Sequence, residues 1–133
     1  MIDALSAAAG RDVSRETFDR LDRYVALLRA ENALQNLVSA ATMADVWRRH
    51  VLDSIQLVRF QPFEGASWVD IGAGAGLPGL VIAAVVEGPV HLVEPRRLRA
   101  EFLNKAVAEL GLANVIVHPV RAEKVRGSFD VIT

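Results

Sequence analysis

The spacing of apolar residues changes rhythm near Glu64. Before it, Phe18, Leu21, Val25 and Leu28 recur at helical intervals and mark one apolar stripe. Val13-Ser14 reads as the start of that helix, with Ser14 as N-cap and Val13 placed to staple onto Phe18. Residues 34–39 read as a connection, with Asn32 and Asn36 near its ends. Thr42 is expected to cap a second helix over 43–60, whose Val46, Trp47, His50, Val51, Ser54, Ile55 and Val58 share one broad face. Gln61-Pro62-Phe63-Glu64-Gly65 breaks that helix.

After the break, short apolar runs alternate with helical patterns. Residues 67–71 predict a strand and 77–86 an apolar helix with Pro78 in its first turn. A second strand is expected over 90–93, ending in Glu94-Pro95. Residues 98–110 predict a helix with Leu98, Phe102, Leu103, Val107 and Leu110 facing inward and Gly111 as its stop. A third strand over 115–117, a short turn or helix over 121–125 and the start of a fourth strand over 129–132 complete the series. Such alternation implies right-handed βαβ crossovers and a parallel sheet. The fold class is therefore α/β: a Rossmann-like unit of about four parallel strands over 65–133, preceded by a small helical part over 1–64. A doubly wound sheet rarely ends on a strand, because the last strand is left as an apolar edge. The chain is thus expected to be part of a longer protein.

Composition narrows the function classes. The 133 residues are 52% hydrophobic, enough for a packed core. A net charge of -1, from 15 basic and 16 acidic residues, announces no bulk nucleic-acid binder, although a balanced total leaves room for a local basic face. The absence of cysteine excludes disulfides, cysteine metal sites and a cysteine nucleophile within these residues, and no metal site is expected. No apolar run approaches the roughly 18 residues of a membrane helix, and the N-terminus lacks the pattern of a signal peptide. A cytoplasmic protein without membrane contact is the expectation.

The stretch with most chemistry in it is Trp68-Val69-Asp70-Ile71-Gly72-Ala73-Gly74-Ala75-Gly76-Leu77-Pro78-Gly79. It reads as a buried strand that stops at a glycine-rich turn and opens a helix. Glycines let backbone approach a ligand closely, and the N–H groups at a helix start favour polar or anionic groups. Two ligand classes use this device. Gly74, Gly76 and Gly79 fit G-x-G-x-x-G, and Glu94 lies twenty positions after Gly74, which suits a dinucleotide and a nicotinamide-dependent oxidoreductase. Counted from the strand end, however, the pattern is Gly72-x-Gly74-x-Gly76, with Asp70 two residues before it and Glu94 at the end of the next strand. That layout resembles class I S-adenosylmethionine-dependent methyltransferases. Glycines would pass under the methionine end, Glu94 is placed to accept hydrogen bonds from the two ribose hydroxyls, and Arg121-Ala122-Glu123 is placed to border the adenine. All three segments lie at carboxyl ends of strands, where open α/β sheets bind ligands. Each acid also has a structural alternative: Asp70 holding N–H groups of the turn, Glu94 a solvated strand end, Glu123 an ordinary surface acid.

Asn36-Leu37-Val38-Ser39, Arg49-His50-Val51-Leu52-Asp53-Ser54, Asp70-Ile71-Gly72-Ala73-Gly74-Ala75-Gly76-Leu77-Pro78-Gly79, Phe102-Leu103 and Phe129-Asp130-Val131-Ile132, in that order, resemble the bacterial small-subunit ribosomal RNA methyltransferase G family from about Phe18 onward. The resemblance implies S-adenosylmethionine as cofactor and 16S rRNA or the small ribosomal subunit as partner, with N7 of one guanine as target. It also implies a protein that is monomeric at full length. It places Gly72, Leu77, Ala122 and Glu123 at the cofactor, and Asp70, Gly74 and Glu94 join them as cofactor-site candidates. One departure is visible: where the family carries a lysine after the second strand, this chain has Leu98, while Arg96, Arg97 and Arg99 keep the segment basic. The family also continues past the last strand with an arginine segment that helps form the site, and this sequence stops at Thr133 before it.

Arg48, Arg49, Arg96, Arg97 and Arg99 are candidate phosphate contacts, with solvated helix faces as the alternative. His50 and Asp53 sit one helical turn apart, either as an RNA-contacting or catalytic pair or, preferably, as a hydrogen-bonded clamp between the helical part and the glycine turn. Trp47 is expected in the core. Guanine N7 offers a lone pair without prior proton removal, so no general base is needed and no catalytic side chain is assigned. A non-catalytic RNA-binding or assembly module is the other reading left open.

Overall fold

A computed structural model describes residues 1–133. Its helices are α1 (Ile2–Ala9), α2 (Arg15–Asn32), α3 (Ala40–Met43), α4 (Asp53–Ile55), α5 (Gly79–Val85) and α6 (Arg97–Leu110). Its strands are β1 (Trp68–Ile71), β2 (Val90–Val93), β3 (Val115–His118) and β4 (Val131–Ile132). They form one parallel sheet in the order β3-β2-β1-β4, as the alternating pattern implies. No helix is long and apolar enough to cross a membrane.

The sheet has two unlike faces. Register and alternation put Trp68, Val90, Leu92, Val115 and Val117 on one face, where they join a single core with Leu5, Leu21, Tyr24, Leu28, Ile55, Leu80 and Leu103. The opposite face carries Val69, Ile71, His91, Val93, Ile116, His118 and Ile132, none of them in that core. There Ile71, Ile116 and Ile132 are exposed, and the rings of His91 and His118 stack with Nδ1 and Nε2 2.8 Å apart.

Local signals placed most elements, with informative exceptions. Ser14 caps α2, its hydroxyl accepting from the Thr17 N–H at 3.1 Å. Asn32 then organises the connection: its Oδ1 accepts from the N–H groups of Leu37 and Val38, and its Nδ2 donates to the Val38 carbonyl. Thr42 is not the second cap. Ser39 is, accepting from the Thr42 N–H at 3.2 Å, because the extended backbone needed at a cap occurs at Ser39. The expected helix over 43–60 is likewise not uniform. A turn follows α3, then a π-helical stretch Trp47–Leu52, α4, and a 3-10 stretch Gln56–Phe60. The changes of pitch still leave Val46, Val51, Ser54, Ile55 and Val58 buried together.

The apolar helix expected over 77–86 is shorter: Pro78 is its N-cap and α5 starts at Gly79. Leu98 was expected inward but is 53% exposed, because α6 directs Ala100, Phe102, Leu103 and Ala106 to the core and leaves Leu98 off that stripe. Trp47 stacks on Phe18, with centroids 5.6 Å apart, and packs against the core as expected.

Candidate functional site

The turn between β1 and α5 is tied down at nearly every residue. The N–H groups of Gly72 and Ala73 both donate to the Val93 carbonyl, at 2.9 and 3.0 Å, so the turn folds back over the end of β2. Gly72, Gly74 and Gly76 have φ of 71°, 52° and 87°, a region that side-chain-bearing residues rarely enter. Gly74 donates to Glu94 Oε1 at 2.9 Å, and Gly76 to the Ala73 carbonyl at 2.7 Å. Gly79 donates to Asp70 Oδ2 at 3.0 Å. A Cβ on Gly79 would lie 2.7 Å from that oxygen and collide with Leu92, so a glycine there lets α5 press onto the sheet. The N–H groups of Ala75 and Leu77 have no acceptor within the protein.

Both acids flanking the turn are buried, Asp70 at 4% exposure and Glu94 at 3%. Glu94 is no solvated strand end: Oε1 holds Gly74 and Oε2 accepts from the Arg96 N–H at 2.9 Å. Each oxygen keeps a further lone pair for a hydroxyl donor. The Asp70 carboxyl is pushed up to about 6, first by burial and further by the nearby Glu94 charge, against the lowering effect of its hydrogen bond from Gly79 and of the nearby Thr133 hydroxyl.

A cavity of about 590 Å³ opens beside this turn. One wall is Gly72, Ala73, Gly74, Ala75, Leu77 and Pro78. The other is the helical face that carries His50, Asp53, Ser54, Gln56, Leu57 and Phe60, with Leu37, Val38 and Arg99 closing the ends. Arg99 reaches across to the Asn36 carbonyl at 3.3 Å.

The structure therefore brings Gly72, Gly74 and Leu77 to one cavity wall, with Asp70 and Glu94 supporting that wall from behind. Ala122 and Glu123 are not part of the cavity. They lie in an exposed 3-10 turn, Ala122–Lys124, beyond β3, where Glu123 meets only Arg121 at 3.9 Å.

The expected His50–Asp53 clamp is not formed. Neither side chain makes a hydrogen bond, and the buried His50 Nε2 is without a partner. Burial, first, and the neighbouring Arg49 hold the His50 imidazole below its ordinary pKa, with Asp53 opposing them. The clamp comes instead from Tyr24, whose buried hydroxyl donates to the Ala75 carbonyl at 2.6 Å. Burial, with Asp70 nearby, raises the Tyr24 pKa, so this donor stays protonated. Tyr24 lies within the apolar stripe of α2, and its only signal in the sequence is that a buried tyrosine hydroxyl needs an acceptor.

Among the candidate phosphate contacts, Arg48 is paired with Asp45 at 2.6 Å and Arg97 with Glu101 at 3.1 Å. The side chains of Arg49 and Arg96 have no acceptor within the protein.

Similarity to known proteins agrees with this geometry. The family model GidB, rRNA small subunit methyltransferase G, matches residues 17–133. The chain is 47% identical over 113 residues to the ribosomal RNA small subunit methyltransferase G of Sphingopyxis alaskensis, covering 84% of this chain and 48% of that protein. It is 45% identical over 130 residues to that of Zymomonas mobilis, with 91% and 58% covered. To that of a Bradyrhizobium species it is 45% identical over 139 residues, with 98% and 62% covered. The chain thus spans about half the length of the curated relatives it matches. A crystal structure of a point mutant of MtNAS in complex with S-adenosylmethionine superposes with a TM-score of 0.56 at 24% identity, over 79% of this chain and 44% of that one, a likeness of fold. The turn, the sheet order and these matches lead to one conclusion: the chain belongs to the rRNA small subunit methyltransferase G family.

Proposed function

We propose that the protein, at its full natural length, transfers a methyl group from S-adenosylmethionine to N7 of a guanine in 16S rRNA of the small ribosomal subunit. It would act in the cytoplasm as a monomer. The observation that carries this reading is the pair of unused N–H groups, Ala75 and Leu77, on the cavity wall of a turn otherwise hydrogen-bonded throughout. Unpaired backbone donors beside a cavity favour a ligand with acceptor oxygens, such as an amino-acid carboxylate. Open space above Gly72, where an added Cβ would meet nothing within 4 Å, leaves room for that ligand.

In this reading Gly72, Gly74 and Leu77 present backbone to the methionine end. Glu94, buried behind Gly74 in the ligand-free structure, fixes Gly74 and Arg96 and in the bound state would turn its remaining lone pairs to the ribose hydroxyls. Asp70 acts from behind through the Gly79 N–H. Ala122 and Glu123 border the adenine in the bound state, beyond the carboxyl end of β3. Arg49 and Arg96 are free to meet RNA phosphates. Bound there, the cofactor would supply a sulfonium methyl group to the N7 lone pair, with the electron pair of the broken C–S bond left on sulfur. No proton leaves the base, so His50 and Asp53 need not act as general bases. What remains for the protein is positioning and exclusion of water.

Calorimetry with S-adenosylmethionine and a methylation assay on small subunits, with the modified atom mapped, test the proposal. Micromolar binding and label at guanine N7 are expected. Label on an exocyclic amine refutes it. Subunit binding without any cofactor binding would instead identify a non-catalytic assembly module.

A further inference from the structure

We propose that Asp53 and Phe60 form the subsite for the target base, with Asp53 accepting from the Watson–Crick edge of a guanine and Phe60 stacking on its face. This rests on the methyltransferase reading above and names how that site would select its base.

The cavity wall facing the glycine turn is one helical face, on which His50, Asp53, Leu57 and Phe60 recur every three or four residues. Asp53 stands out on it. Its carboxylate is solvent-exposed and makes no hydrogen bond or ion pair within the protein, whereas the two acids that flank the glycine turn, Asp70 and Glu94, are buried and hydrogen-bonded to it. Arg99, the cation of the cavity, is turned to the Asn36 carbonyl. Asp53 is thus an unused acceptor beside a cavity whose opposite wall offers unused N–H groups. Phe60 is 70% exposed and borders the same cavity as Leu57 and Pro78. An exposed aromatic side chain at a cavity mouth is a platform on which an unstacked base can lie.

The chemistry of guanine fits this pair. Its N1–H and 2-amino group are adjacent donors that one carboxylate can accept together. Adenine has an acceptor at N1, which would face the carboxylate unfavourably. N7 lies on the opposite edge of the purine. A base read by Asp53 therefore directs N7 away from the helical wall and toward the glycine turn. As N7 takes the methyl group, positive charge develops over the ring and its N1–H and amino donors bind the carboxylate more strongly. That interaction grows toward the transition state and so contributes to kcat as well as to specificity.

The test uses the protein at its full natural length and small subunits with either guanine or adenine at the methylated position. Asp53→Asn removes the charge at constant shape. Its carbonyl can accept from the adenine amino group while its amide donates to adenine N1. We expect kcat/KM for guanine to fall about 100-fold, as for a lost charge-assisted pair, and methylation of adenine, absent with wild type, to become measurable. Phe60→Leu should raise KM about tenfold, with kcat nearly unchanged. Calorimetric affinity for S-adenosylmethionine and the melting temperature should stay at wild-type values in both variants. Guanine methylation within threefold of wild type in Asp53→Asn overturns the proposal. So does a parallel loss of cofactor affinity, which would place Asp53 at the cofactor. A wild-type protein that binds S-adenosylmethionine but leaves guanine N7 unmethylated overturns the underlying functional reading instead, because no guanine selectivity then exists to be altered.

Discussion

The glycine turn after β1 and the short turn after β3 stand at carboxyl ends of strands in one parallel sheet, and both were expected at the cofactor. Their construction is opposite. The first is buried from Ala73 to Gly76 and held by Val93, Glu94, Asp70 and Tyr24. The second, Ala122–Lys124, is exposed and has one ion pair at 3.9 Å, between Arg121 and Glu123. A wall that must present backbone to a ligand needs its shape in advance, since a free loop would lose conformational entropy on binding. A segment that only borders a ligand can be recruited when the ligand arrives. The difference predicts that substitutions in the first segment act on stability, and those in the second on binding alone.

Gly79→Ala should give the largest effect. Alanine normally favours a helix, but here its Cβ would press on Leu92 and lie 2.7 Å from Asp70 Oδ2. Overpacking of this kind costs about 3 kcal/mol, read as a lower denaturation midpoint. A midpoint equal to wild type would mean that the first segment is much looser than described.

Asp70→Asn comes next and has a definite pH dependence. The folded-state value of about 6 lies above the ordinary 3.8. Folding therefore favours the protonated carboxyl, and that contribution is present below about pH 4 and lost as pH rises through 6. Asparagine stays neutral and can still accept from the Gly79 N–H. The variant should thus gain on wild type as pH increases from 4 to 7, by about 2 kcal/mol. Denaturant titrations of both proteins at pH 4 and pH 7 measure the difference, and a constant gap would remove Asp70 as its source.

Tyr24→Phe removes the one side-chain hydrogen bond that joins α2 to the turn, leaving the Ala75 carbonyl unpaired. A loss of about 1–2 kcal/mol is expected, with weaker S-adenosylmethionine binding in calorimetry because the Ala75 peptide is freed. Unchanged binding would show that the turn keeps its shape without this contact.

Glu123→Ala should have the smallest effect on the fold. The melting temperature should not move, because an exposed pair of this length contributes little. Cofactor affinity should fall about fivefold in the protein at its full natural length. A shifted melting temperature would erase the contrast between the two segments.

The legible features share a physical origin. Helix α6 could be read because its apolar stripe and its Gly111 stop are both local, and Gly111 adopts the left-handed φ of 64° that ends the helix. The glycine turn was legible because positive φ leaves its mark in residue type. The second cap was misplaced because Ser39 and Thr42 are both competent oxygens, and only the backbone angle at Ser39 separates them. The helix over 43–60 looked uniform because apolar periodicity does not distinguish π and 3-10 turns from α over so few residues. Leu98 looked inward because one extra position on a stripe costs nothing in a pattern, yet lies off the packed face in space.

What the sequence determined alone was therefore local and periodic: the parallel α/β series, the turn at Gly72–Gly76, and the acids that flank it. Tertiary structure decided which groups meet across the chain. It placed Tyr24 on Ala75, 51 residues away, and brought Asp53, Phe60 and Gly72 to the lining of one cavity. It also left Ala122 and Glu123 outside that cavity. Such contacts join positions with no common period. They follow from how α2, the helical segment 47–60 and the sheet pack, which residue types along the chain do not encode one position at a time.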